Sequence, residues 1–195
     1  MNKKRVAILI SGRGSNMAAL MAAAQAPDYP AEIVGVLSNR AAAGGLEIAS
    51  AAGIATASLA QSKFPSRDMF EDVMTQTLES WDVDLVCLAG FMRILGDDFV
   101  NHWAGRMINI HPSLLPLYKG LHTHERALAD GATVHGCTVH FVTPGLDEGP
   151  AILQAEVPVL SGDTPDSLSA RVLVEEHRIY PEALRLLASG QVTPV

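Results

Sequence analysis

The chain has 195 residues, 48% hydrophobic and 18% charged, with a formal net charge of −7. That length carries one substantial core, so a single domain over 1–195 is expected, and the acidic balance without any Lys/Arg cluster argues against a nucleic-acid-coating surface. Its two cysteines, Cys87 and Cys137, fall in apolar strand-like runs, which suits reduced core thiols in a cytoplasmic protein better than a disulfide framework.

At the N-terminus, Lys3, Lys4 and Arg5 precede an apolar run of only about six residues, too short for a signal-peptide core, so no targeting or membrane segment is expected. Val6 to Ile10 reads as a strand covered on both faces, and the Ala-, Leu- and Met-rich stretch Met17 to Ala26 as a helix. Ile33 to Leu37 predicts a second strand, Leu46 to Ala52 a helix and Ile54 to Leu59 a short third strand. Ser66 is a good N-cap for a helix through about Ser80, with Phe70, Val73, Met74, Thr77 and Leu78 at helical spacing. Leu85 to Ala89 is a buried fourth strand, Gly90 to Leu95 a loop and Asp97 to Trp103 a short helix. Met107 to His111 alternates as a strand, with Asn109 and His111 on one side, Ile108 and Ile110 on the other, and Pro112 ending the ladder.

These alternations predict an α/β fold: a Rossmann-like, mostly parallel sheet with right-handed crossovers and helices on both faces. Val134 to Thr143 and Ile152 to Val157, joined by a Pro- and Gly-bearing loop, predict a mixed C-terminal part of the sheet. Thr164, Pro165 and Asp166 supply an N-cap, an N1 proline and an acidic first turn to a last helix that ends near Gly190, with a kink expected at Pro181.

Three stretches carry candidate chemistry. Ser11, Gly12, Arg13, Gly14, Ser15 and Asn16 lie between a strand and a helix N-terminus, where free backbone N–H groups and the helix dipole favour a phosphate. The third glycine of a dinucleotide fingerprint is replaced by Met17, no acidic residue ends strand two, and no Walker lysine follows, which disfavours NAD and a triphosphate. The same residues would also serve as a capped turn with no ligand. Gly90, Phe91, Met92, Arg93, Ile94 and Leu95, after strand four, read either as a slot for a flat heteroaromatic ligand or as ordinary packing at a strand end. Among the seven histidines, His122 and His124 form an H-x-H that with His111, His135 and His140 invites a metal reading. No known ligand spacing matches, so no metal is expected. His111 has Asn109 beside it on the strand, and Asp147 stands in a Gly-rich turn from which a carboxylate could reach an imidazole. Amide, imidazole and carboxylate together suit acyl transfer at a carbonyl.

Taken together, Gly12 to Asn16, Ala89 to Leu95, Asn109 to Pro116, Gly120 to His124, Gly136 to Gly149, and Glu176, His177, Tyr180 and Pro181 resemble the phosphoribosylglycinamide formyltransferase family of folate-dependent enzymes. The likeness runs from about Val6 to Pro181. It implies that Gly14, Ser15 and Asn16 hold a substrate phosphate, that Glu176 contacts the ribonucleotide, and that Arg67, Met92, Arg93, Ile94, Leu95 and Asn109 line a folate site. It also implies a catalytic trio of Asn109, His111 and Asp147. One departure lies before the aspartate, where the family usually has Asp, Glu, Val or Met and this chain has Pro144. The implied reaction is direct transfer of the formyl group of 10-formyltetrahydrofolate to the amine of glycinamide ribonucleotide, without a metal, a membrane or a nucleic acid, by a monomer or homodimer. Methionyl-tRNA formyltransferase would share the trio but carries a basic RNA-binding extension, and formyltetrahydrofolate hydrolase an extra N-terminal regulatory domain for which this chain leaves no room.

Overall fold

The structure, a computed structural model, describes residues 2–194. Seven strands form one sheet in the order β3-β2-β1-β4-β5-β6-β7. They are β1 (Lys4–Ile10), β2 (Ala31–Ser38), β3 (Ala55–Ser58), β4 (Leu85–Leu88), β5 (Met107–His111), β6 (Val134–Phe141) and β7 (Ala151–Pro158). The first five run parallel, while β5–β6 and β6–β7 are antiparallel. The expected mixed C-terminal part is therefore present.

Helices α1 (Ser15–Ala24), α2 (Gly44–Ala51), α3 (Arg67–Ser80), α4 (Asp97–His102), α5 (Thr123–Ala129) and α6 (Pro165–Ala188) cover the two faces. The central strand shows why two layers form. Val6, Ile8 and Ile10 of β1 point into a core shared with Met17 and Leu20 of α1 and Leu168, Val172, Ile179 and Leu184 of α6. Ala7 and Leu9 point the other way, onto Phe70, Met74 and Leu78 of α3 and Phe99 of α4. A strand whose alternate residues both meet helices must be apolar throughout, which explains the unbroken run Val6 to Ile10.

Local signals set the helix starts. Ser66 Oγ accepts from the Met69 N–H at the head of α3, and Thr164 forms a reciprocal capping box with Ser167 at the head of α6. α6 runs through Pro181 without ending; the Pro181 carbonyl accepts from the Tyr29 hydroxyl at 2.7 Å. The sequence does not announce α5, because only Thr123 and Ala127 of its seven residues are buried. So short a buried stripe leaves no periodic signal.

Candidate active site

The strand order reverses between β1 and β4, and an open α/β sheet binds ligands outside the carboxyl ends of its strands at that point. A crevice of about 180 Å³ lies there, lined by residues 12–16 together with Ala89 and Gly90. Gly14 has φ 74°, and a Cβ on it would press on the Met17 side chain. Glycine thus lets the chain turn into α1, whose first N–H groups have no partners within the helix. Glu176 of α6 closes this end, its Oε1 accepting from Asn16 Nδ2 at 3.3 Å. Burial pushes the Glu176 carboxyl up to about 6 against the pull of that hydrogen bond, and Asn16 Oδ1 is buried with no partner. The structure thus brings Gly14, Ser15, Asn16 and Glu176 to one end of the crevice.

The run after β4 begins at Gly90, in the lining of the crevice. Met92 and Ile94 are exposed apolar side chains, and Leu95 packs on the α3–α4 core. Arg67, at the start of α3, lies against the same run at Gly96. Among the described residues, the backbone groups of Arg93, Ile94 and Leu95 have no hydrogen-bond partner in the protein. Met92 differs. Its N–H is taken by Ser11 Oγ at 2.7 Å, and Ser11 Oγ in turn donates to Asn39 Oδ1. That link between the two loops is invisible to sequence spacing, since the three residues come from three separate strand ends.

Next to β4 in the sheet, β5 and two loops assemble the trio. His111, 6% exposed, puts Nδ1 at 3.4 Å from Asp147 Oδ2, while its Nε2 donates to the Tyr118 carbonyl at 2.9 Å. A neutral imidazole can donate to only one of these acceptors, whereas an imidazolium donates to both. Asp147 Oδ2 also accepts from the Gly120 N–H at 2.9 Å, and Lys119 pairs with Glu148 at 3.1 Å. The 112–122 and 142–150 loops are thereby clasped at the carboxylate. Asp147 itself sits at φ 51°, and a Cβ on Gly149 would collide with the Phe141 carbonyl oxygen. The aspartate is held on a tight turn that requires a glycine two residues on. Pro144 is exposed in that loop.

Asn109 is half-buried on the same side of β5 and its Nδ2 lies 3.3 Å from His140 Nε2. His140 is one of the histidines that invite a metal reading in the sequence. Instead β5 and β6 pair so that Asn109 stands directly opposite His140, and His140 Nε2 is also 3.8 Å from Asp147 Oδ1. Alternation within Val134 to Thr143, with Val139 in the core, could have put His140 on the site face. The register that sets it against Asn109 could not be read.

The remaining histidines do not converge. His124 Nδ1 and His135 Nε2 share a hydrogen bond at 3.1 Å, and burial lowers His135 to about 4. Among the described residues, no three His, Cys, Asp or Glu side chains group as metal ligands, and no helix is long and apolar enough to cross a membrane.

Sheet order, crevice and the Asn109–His111–Asp147 cluster define an α/β protein with a candidate ligand site at the carboxyl ends of its strands. A formyl transferase family model matches residues 4–184. The chain is 49% identical over 187 residues to the phosphoribosylglycinamide formyltransferase of Escherichia coli (strain K12), covering 96% of this chain and 88% of that protein. Its fold superposes with a TM-score of 0.93, at 54% identity and full coverage of both chains, on the crystal structure of phosphoribosylglycinamide formyltransferase from Brucella melitensis. It is also 52% identical over 190 residues to the trifunctional purine biosynthetic protein adenosine-3 of Bos taurus, of which it spans 19%. The chain belongs to the phosphoribosylglycinamide formyltransferase family of formyl transferases.

Proposed function

We propose that this chain, acting as one domain in the cytoplasm, transfers the formyl group of 10-formyltetrahydrofolate to the primary amine of glycinamide ribonucleotide, a step of de novo purine synthesis. The observation that carries the reading is the convergence of Asn109, His111 and Asp147 at the end of β5, beside the strand ends that carry the 12–16 loop and the 92–95 run. The ribonucleotide phosphate lies on the N–H groups of Gly14, Ser15 and Asn16, with Glu176 accepting from its sugar hydroxyls. The pterin lies along the 92–95 run, pairing with the backbone groups of Arg93 to Leu95 rather than with Met92 N–H, which Ser11 already holds. Arg67 stands at the entrance.

The amine attacks the formyl carbon, and negative charge collects on the formyl oxygen. The charge then returns, the bond from the formyl carbon to N10 of the folate breaks, and N10 takes a proton in place of the one the amine gives up as tetrahydrofolate leaves. An Asn109 Nδ2 hydrogen and the Nε2–H of His111 meet that oxygen, the latter turning to it from the Tyr118 carbonyl. Each such donor is worth ~10²-fold or more in rate. Asp147 orients the ring through Nδ1 and takes up the proton that the amine loses, directly or through water. No step is routed through a metal or a covalent enzyme intermediate. Purified chain given both substrates should produce formylated glycinamide ribonucleotide. Binding of both without turnover would overturn the reading.

A further inference from the structure

We infer that His140 is a positioning residue for the Asn109 amide: it presents a bare Nε2 that accepts one Nδ2 hydrogen and leaves the other free on the face of β5 that carries His111. The inference rests on the proposed formyl transfer and adds to it the group that decides which way the amide faces.

A backbone carbonyl can only accept, so the 2.9 Å contact between His140 Nδ1 and the Phe141 oxygen requires the proton on Nδ1. In the neutral ring Nε2 is then a lone pair. The nearest donor is Asn109 Nδ2, at 3.3 Å across a direct pair of the β5–β6 ladder. Cross-strand partners in an antiparallel pair sit side by side on one face, so the contact is built into the register. Only 3% of His140 is exposed, and burial shifts its protonation downward despite Asp147, whose Oδ1 lies 3.8 Å from Nε2, beyond hydrogen-bond reach. His111, the other titratable group facing it, acts in the same direction as burial.

The amide of an asparagine is nearly symmetric in shape but not in chemistry. With Nδ2 on His140, the second Nδ2 hydrogen is free for a developing oxyanion. Turned over, Oδ1 would face both the lone pair of Nε2 and the negative oxygen of the transition state. A bare Nε2 therefore excludes the orientation in which Asn109 would oppose the reaction, and does so before substrate arrives.

The test pairs spectroscopy with two variants. In protein labelled with ¹⁵N-histidine, long-range ¹H–¹⁵N correlations at neutral pH should show His140 protonated on Nδ1 and bare at Nε2. His140→Phe, which removes the acceptor, should lower kcat ~10²-fold while the KM of either substrate stays within ~3-fold. His140→Gln, whose Oε1 reaches the place of Nε2, should restore kcat to within ~3-fold of wild type. A proton on Nε2, or a folded His140→Phe enzyme with unchanged kcat, would overturn the inference; so would equal losses in both variants. If His140→Phe does not fold, the tautomer and the His140→Gln rates still decide. A wild-type chain that transfers no formyl group would defeat the proposed function and leave the tautomer standing, so the two failures are separable.

Discussion

Asp147 answers to three neighbours at once: the Gly120 N–H at 2.9 Å, His111 Nδ1 at 3.4 Å and His140 Nε2 at 3.8 Å. Asp147→Asn keeps the shape but removes the charge and replaces one acceptor oxygen by a donor. Its kcat should fall ~10²-fold or more while the dissociation constant of the ribonucleotide barely moves. His111→Ala should lose a similar amount, and the double variant little more than either, because the pair acts as a unit. Single-turnover rates of the four proteins test this, and fully additive losses would count against it. Glu176 makes a second prediction. Its folded value of about 6 lies above the ordinary 4.5 because it is buried, so it is protonated below about 6 and charged above. The kcat/KM for the ribonucleotide should rise through about 6 as the carboxylate becomes a full acceptor. The substrate phosphate also ionises near ~6, so the informative quantity is the difference from Glu176→Gln, in which this part of the rise should vanish. Stability runs the opposite way. Between 4.5 and about 6 the folded chain holds a proton that the unfolded chain has released, so denaturation midpoints should fall as pH rises across that window and level off above it. Gly14→Val, at φ 74°, should raise the KM of the phosphorylated substrate far more than that of the folate, and equal effects would contradict the phosphate assignment.

At the scale of elements, α6 ties the site to the core. Its Tyr180 hydroxyl reaches the Leu88 carbonyl at 2.8 Å and the Ile108 carbonyl at 3.2 Å, bracing β4 and β5 one residue from Asn109. Tyr180→Phe leaves two buried carbonyls without that donor and should lower unfolding free energy by ~1–3 kcal/mol in urea titrations. A change of under a few tenths would mean the hydroxyl is not needed there. How far elements could be read from sequence follows from the physics of each. β1, α3 and α6 were legible because an unbroken apolar run, a serine cap and a Thr-Pro-Asp start act locally. α5 was not, since its stability comes from packing against α6 rather than from its own pattern. The sequence allows the His111–Asp147 approach but does not require it. The clasp that makes it, Gly120 on Asp147 and Lys119 on Glu148, joins loops 27 and 29 residues apart. The Asn109–His140 contact depends on strand register, which alternation cannot fix.

Across the whole molecule, the sheet sets three site-bearing segments side by side at the carboxyl ends of adjacent strands. The 12–16 loop follows β1, the 92–95 run follows β4, and β5, next to β4 in the sheet, brings Asn109 and His111 beside them at the same edge. Such proximity makes direct transfer the natural course, because a formyl group handed from one ligand to the other need not pass through water. The βα alternation and the apolar periodicity made that architecture legible, whereas the Ser11 bridge from Asn39 to Met92 is a product of the finished fold. The most direct test follows the group itself. Chain supplied with ¹³C-formyl-labelled cosubstrate, glycinamide ribonucleotide and an excess of unlabelled formate should deliver undiluted label to the ribonucleotide and none to formate. Label in free formate, or a formylated product diluted by the unlabelled pool, would contradict direct transfer in this crevice.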